Sequence, residues 1–204
     1  DHVTFDASSA QGTHLSNSLK QLSKLGVDSV SVAAGAAVSV DLGGLTMGDL
    51  GSLGTGGGVL LPTFTDASGV IGGSDISVTL DVANLGELNT AAQMGGDLSA
   101  AGFDNVQINL ADAGADGSYQ NDLNALLSGG LSAVDGASFS SDVAGLHDAG
   151  LNVNTIDLGG SAVEGNVSIT EAQAGSLIND GLHFAANDHV TFDASSAQGT
   201  HLSN

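Results

Sequence analysis

The sequence contains no cysteine and no tryptophan, only one tyrosine and one proline, and aromatic residues make up 3% of it. Without cysteine there is no disulfide framework and no thiolate metal site, so noncovalent packing must hold the fold together. The buried volume must come from Leu, Val, Ile and Ala, with 31 glycines allowing close backbone approach. At 41% hydrophobic residues the chain is able to bury a core and is not a disordered spacer.

Positive charge is almost absent too. Lys20 and Lys24 are the only cations, there is no arginine, and the formal net charge is −21. Nucleic acids and anionic membranes both require a basic surface, so neither is expected as a partner. No apolar run reaches the length of a transmembrane helix, so membrane insertion is not expected either.

The acidic residues are strongly biased toward aspartate, because only three of the 23 are glutamate. Aspartate forms turns and helix N-caps, and its carboxylate is an oxygen ligand for Ca²⁺. Self-repulsion of this size must be screened by salt or neutralised by bound cations. This favours an extracellular or cell-surface location in a calcium-rich medium.

Residues 188–204 repeat residues 1–17 letter for letter, as DHVTFDASSAQGTHLSN. A repeat that has diverged by mutation keeps its residue pattern but not its residue identities, so complete identity indicates a recent tandem duplication. We interpret 1–187 as one tandem-repeat unit and 188–204 as the start of the next, so neighbouring units of the same chain are expected partners. Catalytic domains are rarely copied in series, whereas length is gained in this way.

A weaker repetition lies inside the unit. Four leucines at helical spacing precede Gly26, a helix C-cap, and a valine-rich strand follows at 27–32. The same order recurs around Gly102, Gly150 and Gly181, and less well around Gly130. We predict an α/β fold with a mixed, mostly parallel sheet and covering helices, built from degenerate helix–glycine–strand sub-repeats. An α/β solenoid of stacked sub-repeats is the alternative. The four leucines are Leu15, Leu19, Leu22 and Leu25.

The duplicated stretch opens with a strand pattern, HVTFDA, which at 189–193 completes the pattern that begins at Thr170. The true edge of the fold is therefore predicted near 7–13. We then expect 189–193 to pair within this unit and 2–6 to be a loose tail.

The loop DAGADGSYQND at 112–122 is one candidate calcium site. Asp112 and Asp116 occupy positions 1 and 5 of an EF-hand-like loop, with Gly117 at position 6. Two ligands of that pattern are missing, and Asp122 is a candidate replacement. The alternative is a plain loop in which Asp122 caps a helix at 123–128.

The repeat junction is the second candidate calcium site. Asp188 and Asp193, equivalent to Asp1 and Asp6, lie close together in the sequence where one unit passes to the next. A cation there would neutralise them and stiffen the joint. Solvated strand ends are the alternative.

No motif predicts catalysis or a bound organic cofactor. There is no GxSxG element, and the glycines of GTGGG at 54–58 have no nearby Lys or Arg to meet a phosphate. Paired carboxylates of a polysaccharide-acting enzyme remain an alternative, although such sites usually hold sugars on aromatic rings.

The phrases GTHLSNSLKQLSKLGVDSVSV and ITEAQAGSLINDGLHFAANDHVTFDAS resemble units of the very long, acidic, cysteine-free, tandemly repeated surface proteins of Gram-negative bacteria. Many of those are giant RTX-type adhesins exported by type I secretion. The resemblance implies an extracellular extender module, often stiffened by Ca²⁺, that holds a terminal binding domain away from the cell. A weak carbohydrate- or surface-binding module that acts by avidity, with surface glycans as partners, is the alternative function.

Overall fold

The computed structural model describes residues 3–7, 14–15, 19–43, 61–73, 76–110, 119–128, 139–158 and 166–193. The strands are β1 Thr4–Ala7, β2 His14–Leu15, β3 Ser29–Val32, β4 Ala37–Asp41, β5 Thr63–Thr65, β6 Ser77–Val82, β7 Asn105–Asn109, β8 Thr155–Asp157, β9 Asn166–Thr170, β10 His183–Phe184 and β11 His189–Asp193. The helices are α1 Leu19–Lys24, α2 Leu85–Gln93, α3 Gly95–Ala100, α4 Tyr119–Ser128, α5 Phe139–Asp148 and α6 Glu171–Asn179.

The described strands form three sheets, and each ladder between them is parallel. One sheet has the order β1-β3-β5, the largest has the order β2-β4-β6-β7-β8-β10, and β9 pairs with β11. The predicted mixed α/β fold, with a mostly parallel sheet flanked by helices, is confirmed. Within each sheet the strands also follow their order in the chain, which is the succession that stacked sub-repeats produce.

The buried residues form one cluster that joins one face of the large sheet, the helices and the β1-β3-β5 sheet. In β6, Val78, Leu80 and Val82 are fully buried, while the alternate residues are half-buried. This alternation follows from the two-residue period of a strand. Helix α2 packs on β6 and against α5. The opposite face of the sheet is polar, and there Ser39 donates a hydrogen bond to the Asp81 carboxylate.

The helix–glycine–strand phrase is a real structural unit. In each described copy the glycine has a positive φ, between +67° and +93°, and the next residue donates its N–H to the carbonyl of a buried leucine four positions before the glycine, at 2.8–3.1 Å. This is the Schellman closure of a helix C-terminus. The four closures are Leu22–Gly26–Val27, Leu98–Gly102–Phe103, Leu146–Gly150–Leu151 and Leu177–Gly181–Leu182. The weaker copy at Gly130 lies outside the described residues.

Two details of the predicted first helix were wrong. Leu15 belongs to β2, and Leu25 is 71% exposed because it is the last residue before the closing glycine, beyond the buried face. Leu19 and Leu22 do enter the core.

Gly102 is more constrained than the other closing glycines. A Cβ added there would lie 2.8 Å from the Phe64 carbonyl oxygen and 2.9 Å from the Gly72 nitrogen. At Gly26 a Cβ would meet nothing within 4 Å. Gly102 therefore sets the close approach of the α3 terminus to β5, whereas Gly26 supplies only its φ.

We predict that Gly102→Ala destabilises the fold more than Gly26→Ala. The left-handed backbone alone costs about 1–2 kcal/mol at either position. At Gly102 the backbone must also shift, which adds about 1–3 kcal/mol. The free energies of unfolding of the two variants, measured by denaturant titration, check this. Equal losses would contradict the close approach at Gly102.

Candidate functional site

The repeat junction is represented twice in the structure, once by each copy of the duplicated strand. Strand β1 pairs with β3, with Thr4 opposite Ser29. Strand β11 pairs with β9, with Val190 opposite Val167. The expectation that 2–6 is a loose tail was therefore wrong for the part described, because Thr4–Ala7 has a parallel partner of its own.

Asp188 fastens the entry to β11. Its carboxylate accepts hydrogen bonds from the Leu158 N–H at 3.2–3.3 Å and from the Ala185 N–H at 3.2 Å. It thereby joins the turn between β10 and β11 to the residue that follows β8. Burial raises the pKa of Asp188, the negative charge of Asp157 raises it further, and the two backbone donors oppose the rise.

Asp193 lies at the other end of β11, opposite Thr170 and half-buried. The extended strand between Asp188 and Asp193 spans five residues, or about 17 Å at 3.3–3.4 Å per residue. Calcium ligands lie 2.3–2.6 Å from the ion, so these two aspartates of one chain cannot bind a single ion together. The predicted junction site, with both carboxylates on one cation, is not formed by this pair.

The second predicted calcium site is only partly described. Asp112 and Asp116 lie outside the described residues. Asp122 lies in the first turn of α4, which begins at Tyr119. The alternative prediction, a helix at 123–128 capped by Asp122, therefore places the start of the helix too late. Within the described ranges, no three His, Asp or Glu side chains are grouped so that they could hold a metal ion.

Helix α4 is fixed to the junction by a glutamine that the sequence does not single out. The Ser168 N–H donates to Gln120 Oε1 at 2.6 Å, and Gln120 Nε2 donates to the Ser168 carbonyl oxygen at 3.0 Å. Gln173 Nε2 on α6 donates to Asn124 Oδ1 at 3.2 Å, so α4 contacts both β9 and α6. These contacts hold β9 in place beside β11.

Asp142 is a second acid whose pKa is displaced, away from the junction. It is 6% exposed on α5, and its Oδ1 accepts from Asn89 Nδ2 on α2 at 3.2 Å, while its Oδ2 is buried without a hydrogen-bond partner. Burial raises its pKa and the Asn89 contact opposes the rise. Asp142 therefore links α5 to α2 through one hydrogen bond.

Two large apolar side chains near the junction are exposed. Val3, just before β1, and Phe192, on β11, are each 43% exposed.

No helix in the described part of the chain is long and apolar enough to cross a membrane. Comparisons with protein-family models, curated proteins and solved structures gave no match.

We predict that the stability contributed by Asp188 falls as the pH rises. Because its folded-state pKa is raised, protonation favours the folded state. That contribution is complete below the unfolded value of about 3.9 and is lost as the pH rises through the folded pKa. Asp188→Asn keeps a side-chain acceptor but does not titrate. The difference in unfolding free energy between the variant and the parent should shift in favour of the variant from about pH 3.5 to about pH 7.

Denaturant titrations in the presence of chelator measure this difference. Asp157→Asn is the matched control, because removing its charge lowers the pKa of Asp188 and moves the transition to lower pH. A pH-independent difference between Asp188→Asn and the parent would contradict the raised pKa.

Proposed function

We propose that this chain is a non-catalytic structural repeat of a very long secreted or cell-surface bacterial protein, which extends an adhesin away from the cell. The observation that carries the proposal is the exact duplication of 1–17 at 188–204. Selection for length is satisfied by copying a unit in series, whereas the activity of an enzyme is not improved by a contiguous copy of its first residues.

The strand succession supports the same role. In each sheet of the described residues a later strand is added beside an earlier one, and the ladders between these strands are parallel. Repeat architectures of this kind gain length without a new core, since each element contacts only its neighbours. Both copies of the duplicated strand pair in this way.

The charge supports an extracellular location. A net charge of −21 with only two cations keeps long chains apart and soluble, and it needs external cations to limit self-repulsion. The resemblance to RTX-type repeat units implies export by type I secretion and a medium rich in Ca²⁺. Calcium is therefore the cation that we propose for this protein.

We predict that the maximum dimension of chains with one, two and four units, measured by small-angle X-ray scattering, rises in proportion to the number of units. A compact arrangement would increase the radius of gyration only about 1.3-fold for each doubling of length. For an extended array, the radius of gyration increases about twofold for each doubling of length. Compact scaling would contradict the extender function.

We also predict that Ca²⁺ raises the melting temperature relative to chelator at matched ionic strength. Extracellular-type sites with a Kd of about 0.1–1 mM would add about 1.4–2.7 kcal/mol per site in 10 mM Ca²⁺. The pair Asp112→Asn with Asp116→Asn should remove the increase if the loop is the site. Asp188→Asn or Asp193→Asn alone should remove it if an ion binds at one end of β11. Mg²⁺ is the control cation, and equal melting points in Ca²⁺ and chelator would contradict calcium binding.

A further inference from the structure

We infer that the two sheets at the junction are halves of one sheet. In the array, the strand 189–193 ends one unit and also begins the next, and it lies between β9 of its own unit and β3 of the following unit. The partner is thus the next copy of this same sequence, joined through a shared strand rather than a linker. This inference rests on the proposed function as a tandem array.

The first argument is the direction of the backbone groups on β11. Both backbone groups of Ser168 are bonded to Gln120, so they face away from β11. Backbone groups alternate along a strand, so Val167 faces β11 and bonds the residues that flank its opposite partner, Val190. Residues 189, 191 and 193 therefore face β9, and the N–H groups of Val190 and Phe192 face outward.

The second argument is that β1 uses the opposite edge of the same sequence. The Val3 carbonyl oxygen accepts from the Ser29 N–H at 3.3 Å, and the Val3 N–H donates to Asp28 Oδ2 at 2.6 Å. Val3 and Phe5 therefore face β3, and Thr4 faces outward. Val3 and Phe5 are the equivalents of Val190 and Phe192. Among the described strands, each copy thus leaves unpaired the edge that the other copy uses, so one strand can pair on both sides without conflict.

The third argument is that the side-chain rows match across the joined sheet. Phe192 lies opposite Ile169, and its equivalent Phe5 lies opposite Val30, which in turn lies opposite Phe64. In register, joining the halves therefore places apolar residues opposite one another across four neighbouring strands.

The adjacent row is made of hydroxyl-bearing residues. Thr191 lies opposite Ser168, and its equivalent Thr4 lies opposite Ser29, with the two hydroxyls 2.9 Å apart. Like side chains in register are what cross-strand pairing stabilises. The pattern therefore fits a single sheet on both faces.

The fourth argument is exposure. Val3 is 43% exposed, whereas its equivalent Val190, which has β9 beside it, is half-buried against the core. The same residue is therefore covered where the preceding unit supplies a strand. Phe192 is also 43% exposed. It lies on the strand whose other edge would pair with β3 of the following unit. A preceding unit would cover Val3 and a following unit would cover Phe192.

The test compares backbone amide exchange in this chain and in a chain of two full units. No described strand lies beside the Phe192 N–H in this chain. In the two-unit chain we expect it to donate to the carbonyl oxygen of Ser29 of the following unit. Its exchange should slow by at least about tenfold. Thr191, whose N–H faces β9, should be protected in both chains and serves as the internal control. Equal exchange of Phe192 in the two chains overturns the inference.

A pair of variants separates the effect of losing the backbone hydrogen bond across the joint from the effect of losing the Phe192 side chain. Phe192→Pro removes the outward N–H, and Phe192→Ala keeps it. In the present chain both variants should leave Thr191 protected, because proline is tolerated where an edge N–H faces solvent. In the two-unit chain, Phe192→Pro should split unfolding into two transitions while Phe192→Ala keeps one. Two transitions for both variants, or one for both, overturn the shared strand.

The outcomes for function and joint are distinguishable. Linear growth of the maximum dimension with unchanged Phe192 exchange leaves the extender function standing and rejects the shared strand. Compact scaling rejects the extender function whatever the exchange rates show. If Phe192→Pro unfolds the present chain, as lost protection of Thr191 would reveal, the exchange comparison of the two unmodified chains still decides.

Discussion

A parallel strand exposes hydrogen-bonding groups along both edges, and the chain must cross back to supply each neighbour. Within the described residues that crossing ends in the same way four times, with a buried leucine, a glycine in the left-handed region, and an apolar residue whose N–H donates to the leucine carbonyl. The closure fixes both the end of the helix and the start of the strand, as in Leu98–Gly102–Phe103. Strands delivered by such identical steps are added in chain order, which is the order that all three sheets show.

Sheets built in chain order always retain a first and a last edge. Single domains protect such edges with charges, prolines, bulges or covering loops, because an open edge is a template for aggregation. A tandem array has another solution, since the last edge of one unit is complementary to the first edge of the next. On this interpretation the identity of the strand residues in the two copies has a physical reason. One strand must satisfy β9 on one side and β3 on the other, and both faces must match both neighbours.

The features that sequence predicts best in this chain are the local ones. A glycine with φ of +93° at 102 and alternate burial of Val78, Leu80 and Val82 follow from the stereochemistry of one turn and one strand. Leu25 has the right helical spacing but lies outside the core, because the helix closes before it completes that face. The pairing of β1 with β3 and the bonds of Gln120 to Ser168 join residues 25 and 48 positions apart. Such contacts depend on where elements distant in the sequence pack, so no local sequence pattern predicts them.

A shared strand also changes how the charge of the array must be understood. The 17 duplicated residues contribute Asp188 and Asp193 and no cation, so a 187-residue unit carries two negative charges fewer than the chain, or −19. Units joined by a continuous sheet cannot swing apart to dilute that charge, whereas units on flexible linkers can. Screening acts over about 8 Å at physiological ionic strength, which is shorter than a unit but comparable to the spacing of neighbouring strands. Repulsion between successive units therefore acts only where they meet, at the junction, where burial and the charge of Asp157 raise the pKa of Asp188. Cations that gather there stabilise the joint even without a dedicated set of ligands, so the acidity of the chain and the continuity of its sheet make stiffness dependent on the salt of the medium.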